Sequence, residues 1–135
     1  SRILVRRVAS DPALMACVLT HTITWAPSPT PRRVRRGLSL GAVLAHAVAG
    51  LGPRPPRRLL RIRHGRRQAA RGARGRRENL RGRLRATAEG TGPVLVVDDV
   101  ITTGVTASGC ARELLGSGFD AVSVLTVCSA VDRSG

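Results

Sequence analysis

At 135 residues, 42% of them hydrophobic, the chain has enough apolar side chain for one modest core and is short for two domains. Its formal net charge is +15, carried by arginine alone because lysine is absent, and no apolar run approaches the roughly 20 residues that span a bilayer. Cys17, Cys110 and Cys128 are too few and too scattered for a disulfide framework, and His21, His46 and His64 lack ligand spacing, so neither a disulfide scaffold nor a zinc site is expected.

Residues 1–8 are basic and partly apolar. Arg6-Arg7 leads into a short apolar run at 13–19 without a convincing small-residue cleavage site, so the sequence predicts a cytoplasmic protein rather than an exported one. A short helix is expected over 11–21, capped by Ser10 or Asp11. Residues 22–26, TITWA, are β-branched and read as the first strand. Pro27-Ser28-Pro29-Thr30-Pro31 stops it, since proline cannot donate to a ladder. Arg32, Arg33, Arg35 and Arg36 come next, before Gly37. Leu38, Leu40, Val43, Leu44, Ala47 and Val48 then recur at helical spacing up to Gly50. Arginines at the foot of such a helix can grip a pyrophosphate bidentately.

A proline- and arginine-rich linker at 52–58 precedes a second strand at 59–63. The following stretch, HGRRQAARGARGRRENLRGRLR, is dense in glycine and arginine and reads as a flexible basic loop between strands. A third strand is expected at 84–88, a turn at 89–92, a fourth strand at 94–98 and a fifth at 121–128. Val94 to Val97 make a continuous apolar run, the pattern of a strand buried on both faces, and it ends on Asp98-Asp99. Ligands of open α/β sheets bind beyond the carboxyl ends of the strands, where these acids fall. After the turn at 101–104, Ala107, Cys110, Ala111, Leu114 and Leu115 keep helical spacing, so residues 103–106 would form a first helical turn. Gly116 and Gly118 would close that helix. Free amides at a helix start, the positive end of its dipole, a glycine permitting close approach and three threonine hydroxyls suit a monophosphate. The paired carboxylates suit ribose hydroxyls.

The string Val96, Val97, Asp98, Asp99, Val100, Thr102, Thr103, Gly104, Thr106 resembles the phosphoribosyl-pyrophosphate (PRPP) motif of type I phosphoribosyltransferases. Other parts of the chain resemble the ComF-like branch of that family. Ala26-Pro27-Ser28-Pro29 and Arg36-Gly37-Leu38-Ser39 stand where the branch has VPVP and RGFN, with Leu38 for Phe and Ser39 for Asn. Gln68, Arg76, Asn79 and Gly82 fall at its Q-x7-R-x2-N-x2-G offsets. The resemblance covers roughly residues 22–128 of a single 1–135 domain. It implies a doubly wound, mostly parallel, five-stranded α/β sheet. It also implies that Asp98 and Asp99 hold the ribose and that Val100, Thr102, Thr103, Gly104, Val105 and Thr106 surround the 5-phosphate. Pro27, Ser28, Arg32 and Arg36 would meet the pyrophosphate, and Gln68, Arg76 and Asn79 would belong to a lid. Mg²⁺ would arrive with PRPP and reach Asp98 and Asp99 indirectly.

The implied activity is transfer of phosphoribosyl to a nitrogen acceptor with release of pyrophosphate. With Trp25 and Phe119 as the only aromatic rings, nothing selects a base as that acceptor. A second class fits the charge distribution. Residues 1–92 hold 21 arginines against three acids, a net +18, whereas residues 93–135 hold two against five, a net −3. Such a field draws polyanions, so the alternative is a non-enzymatic protein that senses PRPP or binds single-stranded DNA, as ComF-type proteins of DNA uptake imply. A homodimer is compatible with either reading.

Overall fold

The computed structural model describes residues 2–27, 40–63, 82–101 and 105–129; at 99–101, 105–106 and 127–129 the backbone alone is described. Two short helices open the chain, α1 (Arg2–Ala9) and α2 (Pro12–Thr20). The Asp11 carboxylate accepts from the backbone N–H groups of Ala13, at 2.9 Å, and Leu14, at 3.3 Å, and Pro12 occupies the first turn. Two amides that a helix start leaves without partners are thereby satisfied. Sequence spacing did not mark α1 as a helix, although Leu4 and Val8, four residues apart, form its buried face.

The strands β1 (Thr22–Trp25), β4 (Pro93–Ile101) and β5 (Ala121–Ser129) form a parallel sheet in the order β1-β4-β5. Thr22 to Trp25 pair with Val94 to Val97, and β5 continues the ladder on the other side, from Pro93 opposite Ala121 to Ile101 opposite Ser129. The central strand separates two hydrophobic clusters. Leu95 and Val97 join Leu4, Val8, Val18, Ile23 and residues of α3 (Leu40–Ala49) on one face. Val94 and Val96 join Leu59, Leu60, Leu84, Phe119 and the Cys110 and Leu114 side chains of α4 (Val105–Gly116) on the other. A run apolar at every position is thus explained by burial on both sides. The described residues make a mixed α/β fold with helices on both faces of a parallel sheet.

The remaining strands, β2 (Leu60–Ile62) and β3 (Leu84–Ala86), form a separate antiparallel ribbon with Arg61 opposite Arg85. The described residues therefore do not form the single five-stranded sheet expected from the sequence: three strands are parallel in one sheet and two are antiparallel in another. The ribbon is tied to the main sheet. Arg57 N–H donates to the Ile23 carbonyl at 2.8 Å, and Leu59 N–H donates to the buried Thr24 hydroxyl at 3.2 Å. From the far side, the Glu113 carboxylate on α4 accepts from Ala86 N–H at 3.2 Å.

The amino ends of β4 and β5 are locked by glycine chemistry. Past α4, Phe119 N–H reaches the Leu114 carbonyl and Gly118 N–H reaches that of Leu115, a helix-ending motif that needs the left-handed backbone Gly118 adopts at φ +104°. Gly118 also lies against Gly90, whose carbonyl oxygen would stand only 2.6 Å from a Cβ at position 118. Asp120 completes the clasp by donating its N–H to the Gly92 carbonyl while its carboxylate accepts from Gly92 N–H, both at 2.9 Å.

Candidate functional site

β1 and β4 run in parallel and in register, so their carboxyl ends emerge side by side. Ala26 N–H donates to the Val97 carbonyl at 3.0 Å, one step beyond the last registered pair. Ala26-Pro27 consequently runs beside Val97-Asp98, bringing together two stretches 71 positions apart in sequence. The start of α3 closes over this point. A Cβ on Gly41 would be 3.2 Å from the Ala26 carbonyl oxygen and 3.7 Å from that of Val97, so any larger residue there would push α3 and the strand end apart by a few tenths of an ångström. On the other side Asp98 is in register with Thr126 of β5. Neither Gly41 nor Thr126 could be recognised from sequence, because each owes its place to strand register and helix docking.

Asp98 is half-buried and follows the alternation of Val94 and Val96 toward α4. Its charge is felt by Cys110: burial, and behind it the Asp98 carboxylate, pushes the Cys110 thiol up to about 12. Cys110 is therefore a protonated core side chain and no nucleophile at neutral pH. Among the described residues no group of three or more His, Cys, Asp or Glu side chains converges as a metal site.

At this end of the sheet one boundary differs from the sequence expectation. β4 does not stop at Asp98 but continues through Asp99 and Val100 to Ile101, paired with β5 up to Ser129, because Val100 and Ile101 extend the β-branched run. Asp98 and Asp99 thus lie within the paired strand. The helix is described from Val105, with Val105 and Thr106 in its first turn, where amides lack intrahelical partners, and the expected start at 103 lies outside the described residues. Only residues 102–104 separate the strand from the helix. Thr102, Thr103 and Gly104 lie outside the described residues, as do Ser28, Arg32, Arg36, Gln68, Arg76 and Asn79. Of the expected site residues, the structure brings Pro27, Asp98, Asp99 and Val100 to one end of the sheet and sets Val105 and Thr106 at the start of α4.

The ribbon carries the densest described positive charge. Arg61 and Arg85 are directly opposed, Arg63 and Arg83 bond to each other's backbone at the ribbon's open end, and Arg57 and Arg58 lead into it. No acidic side chain pairs with these six among the described residues. Among those residues, too, no helix is long and apolar enough to cross a membrane. No protein-family model matches the chain, and neither a curated protein nor a solved structure matches it.

Proposed function

We propose that the chain is a magnesium-dependent, PRPP-binding phosphoribosyltransferase of the ComF-like kind. The observation that carries the reading is the Asp98-Asp99 pair in the carboxyl half of the central strand, with a helix described again three residues after β4 ends. A sheet end, adjacent carboxylates and a helix start so close together form a site for a sugar phosphate. The reading is also supported by the bonds from Arg57 and Leu59 to β1, which hold the segment leading into the ribbon beside the edge of the parallel sheet.

In this reading Asp98 and Asp99 accept from the ribose 2′ and 3′ hydroxyls and fix the sugar's orientation. The first-turn amides of α4, together with Thr102, Thr103, Gly104 and Thr106, hold the 5-phosphate. Pro27 and the arginines that follow it face the pyrophosphate. The donor set fits Mg²⁺, which prefers oxygen and is often held by one or two carboxylates plus substrate phosphates. When bound with PRPP, the metal supplies charge neutralisation on the pyrophosphate oxygens. The chain's own contribution is positioning and electrostatics: it holds the anomeric carbon before a nitrogen nucleophile, and the lid expected from Gln68, Arg76 and Asn79 keeps water away. The ribbon arginines, which have no acidic partner among the described residues, favour a second reading, in which the same fold senses PRPP or binds single-stranded DNA without catalysis.

The deciding experiment offers Mg²⁺ and PRPP with a panel of nitrogenous acceptors and measures pyrophosphate release alongside the thermal shift. Stabilisation by Mg²⁺-PRPP that disappears in Asp98→Asn/Asp99→Asn is expected. Pyrophosphate release identifies the enzyme, and stabilisation without release identifies the sensor. A wild-type protein unmoved by millimolar Mg²⁺-PRPP overturns both the enzyme and the PRPP sensor.

A further inference from the structure

We propose that the outward face of the β2–β3 ribbon binds the phosphate backbone of duplex nucleic acid, through residues that the PRPP reading does not use. Leu60 and Leu84, each 1% exposed, turn one face of the ribbon into the core. Alternation therefore puts Arg61 and Arg85, directly opposed in the register, on the other face. One residue beyond the strands, Arg63 N–H donates to the Arg83 carbonyl and Arg83 Nε donates back to the Arg63 carbonyl at 2.9 Å, which clamps a second arginine pair beside the first. Arg57 and Arg58 are exposed on the approach to β2. Like charges directly across a ladder destabilise it, and an anion bridging the guanidinium groups turns that repulsion into a binding site.

The chain does not hold enough acid to neutralise these six arginines from within. Glu113, which meets the ribbon from α4, bonds to Ala86 N–H and not to an arginine. Residues 64–81, which join the two halves of the ribbon, contain seven arginines and one acid, Glu78, so they bring a net +6 whatever path they take. Outside the described side chains there are three acids in all, Glu78, Asp99 and Asp132, half the number of the ribbon arginines. The counter-charge comes from a partner.

The surface chemistry selects nucleic acid among polyanions. None of the large hydrophobic side chains exposed among the described residues lies on the ribbon. The ribbon face therefore lacks both the apolar centre of a protein interface and the wedge that a membrane-surface element inserts. Nucleic-acid interfaces, by contrast, are polar and strongly positive. Single-strand sites stack bases on aromatic rings, and this chain has two rings to offer. Phe119 is spent in the core, and Trp25 packs into the cluster on the opposite face of the parallel sheet from the ribbon leucines. With phosphates alone to hold, the ribbon favours the denser backbone, a duplex with one charge per about 1.7 Å of axis. Backbone contacts carry no base information, so binding is indifferent to sequence.

Fluorescence anisotropy with a short labelled duplex of arbitrary sequence, and with its separate strands, tests this over a salt series. Arg61→Gln/Arg63→Gln/Arg85→Gln removes three ribbon charges and spares the Arg83 side chain that clamps the ribbon's open end. Arg2→Gln/Arg6→Gln/Arg7→Gln removes the same charge from exposed positions on α1. The wild type should bind the duplex at least as tightly as the single strand. The ribbon variant should flatten the slope of log affinity against log salt by about 2.7, and Arg61→Gln alone by about 0.9, with unchanged circular dichroism, while the α1 variant keeps most of the wild-type slope. Asp98→Asn/Asp99→Asn should still bind the duplex, so failure of the PRPP reading and failure of this one are told apart. Absence of duplex binding at low salt overturns the proposal. So does an equal loss of slope in the two triple variants, which would make net charge the whole cause, or a preference for the single strand.

Discussion

Gly118→Ala should destabilise the fold heavily while leaving the proposed ligand site alone. Position 118 has φ +104°, and a non-glycine residue in the left-handed region costs roughly 1–2 kcal/mol. The new Cβ would also stand 2.6 Å from the Gly90 carbonyl oxygen. Gly90 cannot retreat freely, because it is wedged against the Phe119 ring, 2.5 Å from where its own Cβ would be. Relief must come from shifting Phe119, and giving up about a third of a buried aromatic's transfer energy adds about 1 kcal/mol. The total, roughly 2–3 kcal/mol, corresponds to a Tm about 6–12 °C lower for a chain of this length. Differential scanning calorimetry of Gly118→Ala beside Gly116→Ala isolates the cause. Gly116 has nothing within 4 Å of a Cβ and no positive φ, so alanine there should be neutral or gain up to about 1 kcal/mol. The clasp lies at the amino ends of β4 and β5, opposite the acids, so the Tm shift expected from Mg²⁺-PRPP should persist in Gly118→Ala. Equal melting temperatures for the two variants, or a ligand shift lost in Gly118→Ala alone, would refute the reasoning.

Thr24→Val removes the hydroxyl that accepts from Leu59 N–H in a buried setting and should cost about 1–3 kcal/mol in denaturant unfolding, with faster exchange at Leu59. Cys110 should resist alkylation in the native protein at pH 8 while half-buried Cys17 reacts, which mass mapping of the labelled sites would show. Because folding raises the Cys110 value from 9.0 to about 12, the native state holds that proton more tightly. Its contribution is therefore complete below pH 9 and lost as pH rises toward 12, so Cys110→Ala should flatten the alkaline limb of a stability curve measured over that range. Arg61→Gln should raise stability at low salt by relieving the direct opposition with Arg85, and the gain should shrink as salt is added.

How much could be read from the sequence follows from what each signal encodes. Val94 to Val97 identified a strand buried on both faces because apolar continuity is a property of the strand itself, and the Asp11 cap was legible for the same local reason. The extension of β4 to Ile101 was hidden, since two acids inside an apolar run look like its end until β5 is seen pairing on both sides of them. Leu60-Arg61-Ile62 and Leu84-Arg85-Ala86 alternate as strands should, but alternation carries no information about direction, so their antiparallel pairing was not visible. α1 escaped notice because a single pair of apolar positions in eight residues is a weak periodic signal. At the candidate site the paired acids were legible and their neighbourhood was not: Asp98 stands out in the sequence, whereas Gly41 and Thr126 reach it only through docking and register.

The division of the core has a consequence for how the protein comes apart. Four consecutive residues of β4 feed two hydrophobic clusters alternately, and Ile23 and Ala26 at β1 divide in the same way. Neither layer can melt while the other stays whole, because loss of the shared strands removes a wall from both. A molecule built of two half-cores around common staves should therefore unfold in one step, with calorimetric and van't Hoff enthalpies in agreement.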